Sequence, residues 1–130
     1  MTADSEIIID KSITIDGQGH EIILNAKQDS QALSIGNTNT RDIAVTFDNV
    51  DLTITGTTGT SADAIDVWAG LNIDNSKVEI SELRSAFVMQ GGMDAKVNVN
   101  NSTVNVRDIT GNGSNGGVVD IEGSEVSFTN

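Results

Sequence analysis

Three aspartates are the residues of this sequence best placed to bind a metal ion. Asp16, Asp48 and Asp74 each come directly after a short run in which apolar and polar residues alternate. If those runs stack as parallel strands, the carboxylates lie about 5 Å apart, and Asn100 and Glu122 continue the column. Carboxylates at this spacing repel one another unless something compensates, and Ca²⁺ prefers several such oxygen ligands. The sequence therefore predicts either a calcium site at these aspartates or side chains that accept turn amides or point into water.

Two carboxylates about 5 Å apart also match the catalytic pair of a retaining glycosidase. Stacking alone produces this distance, so it does not by itself indicate catalysis. The single histidine, His20, lies in a glycine-flanked turn without a serine or aspartate partner at a recognisable spacing, and the chain has no cysteine. Among the basic residues, Lys77 and Arg84 are nearest to the aspartates and form no evident cluster. We therefore expect no enzyme activity and no cofactor, with calcium as the one exception considered.

Trp68 is the candidate ligand-binding residue. It follows Val67, whose place in an alternating run predicts an inward side chain, so Trp68 is expected to point outward. An exposed tryptophan can stack on a sugar ring or contact a protein partner. The alternative is that the indole packs beneath the turn at Ala69-Gly70.

Asn49, Asn75 and Asn101 are expected to form a structural ladder at a repeated bend. Each lies between two apolar runs, at the same place in successive copies of one motif. Asparagine adopts left-handed backbone angles more readily than most residues, and stacked asparagines can exchange amide hydrogen bonds. Their role is therefore interpreted as stabilising the bend rather than binding a ligand.

The motif that positions these residues is a pair of apolar-x-apolar runs joined by a polar bend. Phe47 is followed after 26 residues by Ile73, after 26 more by Val99 and after 22 more by Ile121. Strict alternation and abundant β-branched residues are typical of half-buried strands, and repeats of this length indicate a solenoid. The sequence predicts an all-β fold, a right-handed single-stranded parallel β-helix of about five coils. Four vertical columns follow: Val45, Leu71, Val97, Val119; Phe47, Ile73, Val99, Ile121; Leu52, Val78, Val104, Val126; Ile54, Ile80, Val106, Phe128.

Composition limits the partners that this chain could have. The 130 residues carry 19 acidic and 7 basic side chains, for a formal charge of −12. Such a field repels phosphate backbones and anionic lipid surfaces, so we expect neither nucleic-acid binding nor membrane insertion. The uniform repeat predicts a single β-helix domain over 1–130, cut from a longer repeat protein. The C-terminal coil would then either continue into more chain or form an end-to-end homodimer.

The opening Ile13-Thr14-Ile15-Asp16-Gly17-Gln18-Gly19-His20-Glu21-Ile22, with later coils that end in Asn-Ser-x-Val-x-Val, resembles the pectate-lyase-like adhesive domains of Gram-positive surface proteins. The resemblance implies a non-catalytic structural or adhesion module that binds a glycan or protein of a host or cell surface. It also implies an extracellular location, although no signal peptide is recognisable here. Two alternatives stay open: a fragment of a carbohydrate-active enzyme such as a polysaccharide lyase or glycosidase, and a pure spacer or self-assembling scaffold.

Overall fold

Short parallel strands form three five-stranded sheets. The computed structural model describes residues 1–56 and 61–111 with their side chains, and the backbone of 119–121 and 125–129. Sheet 1 contains β1 (Thr2–Ala3), β4 (Glu21–Asn25), β7 (Asp51–Thr55), β10 (Lys77–Leu83) and β13 (Thr103–Ile109). Sheet 2 contains β2 (Ile7–Ile9), β5 (Gln31–Ile35), β8 (Asp63–Val67), β11 (Ser85–Met89) and β14 (Val119–Ile121). Sheet 3 contains β3 (Ile13–Asp16), β6 (Ala44–Asp48), β9 (Gly70–Asp74), β12 (Lys96–Asn100) and β15 (Glu125–Thr129).

The order of the strands makes the molecule a β-solenoid of about four turns. Within each sheet, neighbouring strands are parallel and three strands apart in the chain. The chain therefore visits sheets 1, 2 and 3 in turn before it returns one strand spacing higher, about 4.8 Å. Helix is limited, in the described ranges, to one 3-10 turn at Gly92–Asp94. The prediction of an all-β parallel solenoid is confirmed.

The 26-residue spacing places equivalent residues directly above one another. Phe47 pairs with Ile73, and Ile73 pairs with Val99, in sheet 3. In sheet 1 the same interval aligns Ile54 with Ile80 and Ile80 with Val106. The predicted columns are thus correct through β12 and β13.

The prediction is wrong for the last copy of the motif, which lies in other sheets. Val119 and Ile121 pair with Phe87 and Met89 in sheet 2, not with Val97 and Val99. Val126 and Phe128 pair with Val97 and Val99 in sheet 3, not with Val104 and Val106. The reason is that all three walls carry the same aliphatic alternation, so the pattern does not say which wall a strand joins. Connectivity decides: Ile109 ends β13 in sheet 1, and the next strand must therefore enter sheet 2.

The core is a narrow column of aliphatic side chains enclosed by the three sheets. Leu33, Ile54, Ile65, Leu71 and Ile80 have at most 1% of their surface exposed. Phe47 and Phe87 are the aromatic residues of the described core. Each fully buried aliphatic side chain of this size contributes about 1.5–3 kcal/mol to folding, so regular stacking compensates for the low hydrophobic content. Among the residues that the structure describes, no helix is long and apolar enough to cross a membrane.

Candidate functional site

The bend between sheet 3 and sheet 1 carries the asparagines predicted to form a ladder. Asn49, Asn75 and Asn101 have φ angles of 54°, 50° and 47°, in the left-handed region. Asn101 donates from Nδ2 to Oδ1 of Asn75 at 2.7 Å, and Asn75 donates from Nδ2 to Oδ1 of Asp48 at 2.9 Å. These amides bond to the neighbouring coil, so they stabilise the stacking of the solenoid.

Serine hydroxyls continue the same bend on its buried side. The Ser76 hydroxyl accepts a hydrogen bond from the backbone N–H of Val50 at 3.0 Å and donates to the carbonyl of Asp74 at 2.7 Å. One coil further on, the Ser102 hydroxyl accepts from the N–H of Ser76 at 2.9 Å and donates to the carbonyl of Asn100 at 2.8 Å. Each hydroxyl thus satisfies backbone groups that the two-residue bend would otherwise leave without partners.

The three aspartates of the proposed calcium column lie in register. Asp16 is aligned with Asp48, and Asp48 with Asp74, whose next neighbour is Asn100. Thr129, and not Glu122, pairs with Asn100; Glu122 itself lies outside the described residues. This correction has the same cause as the shift of the last strands.

Amide donors reach each of these carboxylates. Asp16 accepts from the backbone N–H of Gln18 at 2.9 Å, Asp48 accepts from Asn75 as described, and Asp74 accepts from Nδ2 of Asn100 at 2.9 Å. Among the residues described, no group of three His, Cys, Asp or Glu side chains is arranged to hold a metal ion. These hydrogen bonds offset part of the electrostatic repulsion between the stacked carboxylates.

Trp68 is half-buried, and a cation lies over its ring. The Arg41 guanidinium carbon is 5.2 Å from the ring centroid, and Arg41 Nε donates to the carbonyl of Thr38 at 3.1 Å. This is a cation–π contact that occupies one side of the indole.

The backbone of Trp68 lies close to Gly91 in the next coil. A Cβ atom at Gly91 would lie 2.1 Å from the Trp68 carbonyl oxygen, so glycine permits the close approach of the two coils.

The outer face of sheet 2 forms a second candidate surface. Ser34 and Asp66 alternate with core residues of β5 and β8 and therefore point away from the core, yet they are only 5% and 8% exposed. Connections at 26–30, 36–43 and 90–95 flank this sheet on both sides, whereas the Asn bends between sheets 3 and 1 have two residues. Flanking chain thus makes the outer face of sheet 2 the floor of a depression.

A cavity of about 280 Å³ lies in this depression and is called the Asp66 pocket here. Its lining includes Ser30, Gln31, Asp63, Asp66, Arg84 and Gln90. Asp63 is 6% exposed and accepts a hydrogen bond from Arg84 Nε at 3.0 Å, while Arg84 Nη2 contacts the other carboxylate oxygen. A fork of this kind holds a carboxylate and a guanidinium in one plane. Asp63 and Arg84 therefore form a fixed ion pair in the pocket wall.

Asp66 is the unusual member of the pocket. Its burial and the neighbouring charge of Asp63 raise the pKa of its carboxyl to about 6, against the opposing effects of a Gln90 side-chain hydrogen bond and the Arg84 charge. Its Oδ1 atom is buried without a hydrogen-bond partner. A carboxylate in this position is stabilised less than it would be in water, so it favours any ligand that brings a donor or a positive charge.

Glu6 adds a further carboxylate to the same face. Its Oε2 accepts a hydrogen bond from Gln31 Nε2, and the Ser34 hydroxyl lies 3.5 Å from the same oxygen. The charge of Glu6 also contributes to the raised pKa of Asp66. Glu6 thus places a second carboxylate beside Ser34, which is aligned with Asp66 in the neighbouring strand.

Comparison of the chain with protein-family models, with curated proteins and with solved structures found no match. The sequence alone does not predict that Asp63, Asp66 and Arg84 form a site. One signal was present: Asp66 is an acidic residue inside the otherwise aliphatic run Ala64-Ile65-Asp66-Val67. Nothing in the sequence indicates that Arg84 pairs with Asp63.

Proposed function

We propose that this chain is a non-catalytic structural or adhesion module of an extracellular bacterial surface protein. The observation that carries the proposal is the ladder at the Asn bend, where Asn75 and Asn101 bond to each other and Ser76 and Ser102 join consecutive coils. The repeated polar groups of the bend serve the stacking of the solenoid itself. Such use of a repeat suits a protein whose task is to hold a long, regular shape.

The handedness of the solenoid and its number of coils are part of the same proposal. A right-handed winding is expected because crossovers between parallel strands of one sheet have that hand in nearly all proteins. Five strands in each sheet, with four turns between the first and the last, support the count of about five coils. The resemblance of the Ile13–Ile22 segment to pectate-lyase-like adhesive domains supports the extracellular location.

Binding is proposed for the depression on sheet 2 and for Trp68 beside it in sequence. The residue types at the Asn bend repeat from coil to coil. In sheet 2, by contrast, one aligned column contains three different residue types, Ser34, Asp66 and Val88. A break in a repeat is where a specific contact can form without cost to the stacking ladder. The partner would be a glycan or a protein of a host or cell surface, since the charge of −12 disfavours nucleic acid and anionic membranes.

A carbohydrate-active enzyme is the second candidate, and one observation favours it. Asp66 is a buried carboxyl with a pKa raised to about 6, and Asp63 and Arg84 lie in the same pocket. A raised carboxyl pKa next to a second, ionised carboxylate is typical of glycosidase acid–base pairs. A pure spacer without any ligand is the third alternative.

A glycan and protein array separates the three proposals. The full chain and its Trp68→Ala and Asp66→Asn variants would be labelled and applied to both arrays, and solutions of the glycans that bind would be assayed for released reducing ends and unsaturated products. We expect retained, uncleaved ligands and weaker retention of at least one variant. Cleavage that Asp66→Asn abolishes would establish the enzyme instead. Absence of any ligand on both arrays would leave the spacer.

A further inference from the structure

The Asp66 pocket has an excess of negative charge. Its lining carries Asp29, Asp63 and Asp66 against the single cation Arg84, and Glu6 is close enough to influence Asp66. Carboxylates that line one small cavity add their fields there. The pocket therefore attracts cations and repels acidic ligands.

The positive charge inside the pocket is already engaged. Arg84 bonds to both carboxylate oxygens of Asp63, whereas Asp66 is bonded by the neutral amide of Gln90. Oδ1 of Asp66 and Oγ of Ser85 are the two buried side-chain atoms without a partner in the part of the chain that the structure describes. Ser85 is aligned with Asp63 in the neighbouring strand, so both atoms belong to the same region of sheet 2. Oδ1 of Asp66 therefore has no hydrogen-bond donor.

The neutral side chains that line the pocket favour one class of cation over others. Ser30, Ser61, Gln31 and Gln90 supply neutral donors and acceptors that suit hydroxyl groups. A volume of about 280 Å³ is at the lower limit of small-molecule sites, so it fits about one sugar ring. A hard metal ion would need six or more oxygen ligands, and no suitable group of three acidic or histidine side chains occurs in the described ranges.

We propose that the Asp66 pocket binds a primary ammonium group flanked by hydroxyls, as in an amino sugar whose nitrogen is not acetylated. The ammonium would pair with the carboxylate of Asp66, which lines the pocket and has no hydrogen-bond donor at Oδ1, and the sugar hydroxyls would bond to the serine and glutamine side chains. This inference rests on the proposed binding function and names the ligand class for the sheet 2 depression.

The test is titration of the ¹⁵N-labelled full chain at neutral pH with glucosamine, N-acetylglucosamine and Nα-acetyl-lysine amide, followed by NMR. We expect glucosamine to shift the amide signals of 63–68 and 84–91 and to bind about tenfold more tightly than N-acetylglucosamine, which lacks the charge. The lysine derivative should bind more weakly than glucosamine, because its chain offers no hydroxyls. Equal binding of the lysine derivative and glucosamine would overturn the amino-sugar assignment.

Two variants complete the design. Asp66→Asn keeps the shape of the side chain and should weaken glucosamine binding about tenfold. Asp94→Asn removes the same charge from an exposed position of the 3-10 turn and should leave binding unchanged. Equal losses in both variants would mean that only the overall charge matters, and would overturn the site. Glycans retained on the array equally by wild type and Asp66→Asn, together with no response to glucosamine, would overturn this inference and leave the adhesion proposal standing.

Discussion

Asn101 and Asn75 are 26 residues apart in the sequence and 2.7 Å apart in space, measured from Nδ2 of Asn101 to Oδ1 of Asn75. Both have left-handed backbone angles, so each asparagine combines two functions. Its backbone turns the chain from sheet 3 into sheet 1, and its amide bonds to the neighbouring coil. The contributions of the two functions can be measured separately.

Substitution of Asn75 by glycine and by alanine separates them. Asn75→Gly keeps the left-handed backbone and loses the side-chain bonds to Asp48 and Asn101, which we expect to cost about 1–2 kcal/mol of unfolding free energy. Asn75→Ala loses the same bonds, and because alanine adopts positive φ less readily than asparagine or glycine, it should cost about 1 kcal/mol more than Asn75→Gly. Urea denaturation of the three proteins gives both differences. Equal stability of the two variants would show that the backbone angle is not under strain.

The buried serines provide a second matched pair. Ser76→Ala removes the acceptor of the Val50 N–H and the donor to the Asp74 carbonyl, and we expect it to destabilise the protein by about 1–3 kcal/mol. Ser85→Ala removes a fully buried hydroxyl without a partner and should be neutral or stabilising. Both changes delete one oxygen atom, so the difference between their denaturation midpoints reports the hydrogen bonds. A larger loss for Ser85→Ala would contradict the assignment of partners.

The repeat could be predicted because its physical signals are local. Alternation shows which side chains face inward, and Asn75 and Asn101 mark a bend whose backbone angle few residues tolerate. Equal spacing then implies vertical stacking, as Ile73 and Val99 show. The same reasoning failed at Ile121, because inward-facing aliphatic residues occur in all three sheets. Only the count of strands per coil identifies the correct wall.

The Asp66 pocket could not be predicted for a different reason. Asp63 and Arg84 lie 21 residues apart and are neighbours because Ser85 pairs with Asp63 in sheet 2. The 26-residue repeat does not predict this pairing, because the connections around sheet 2 vary in length from coil to coil. Periodicity contains no information about such contacts. Asp66 was recognisable as an acidic residue in a buried strand, but its lack of a partner at Oδ1 depends on side chains from neighbouring coils.

Calcium is expected to leave the stability of this chain unchanged. Asp16, Asp48 and Asp74 each accept a hydrogen bond from an amide, and these bonds offset part of the repulsion that a metal ion would otherwise relieve. Thermal melts in calcium chloride and in chelator, with magnesium chloride as the ionic-strength control, should give the same midpoint. A midpoint that rises with calcium alone, and no longer does so in Asp48→Asn, would instead establish the predicted metal site.

Alanine substitutions at Gly91 and Gly92 test how closely the neighbouring coils approach each other at Trp68. A Cβ at Gly91 would lie 2.1 Å from the Trp68 carbonyl oxygen, although the φ of −85° suits any residue. A Cβ at Gly92 meets nothing within 4 Å, but its φ is +58°. We expect Gly91→Ala to cost more than about 2 kcal/mol through the contact and Gly92→Ala to cost about 1 kcal/mol through the backbone angle. Because Trp68 is the only tryptophan, its fluorescence should change in Gly91→Ala and not in Gly92→Ala.

The titration of Asp66 should make the protein less stable as the pH rises from about 4 to about 6. The pKa of Asp66 is raised from 3.8 to about 6 in the folded chain, so in this interval the folded state holds a proton that the unfolded state has lost. Stability therefore falls with increasing pH, and the full difference amounts to about 3 kcal/mol at most. The charges that act on this carboxyl are Asp63, Glu6 and Arg84.

Asp66→Asn removes this titration while it leaves those three charges in place. Its unfolding free energy, measured by urea denaturation between pH 4 and pH 8, should vary less with pH than that of the wild type. It should exceed the wild-type value at pH 8, where the buried carboxylate of the wild type is ionised. Asp94→Asn, an exposed change of the same charge, should follow the wild-type profile. Parallel profiles for Asp66→Asn and wild type would mean that Asp66 titrates as an ordinary carboxyl, and its unpartnered oxygen would then be in contact with solvent.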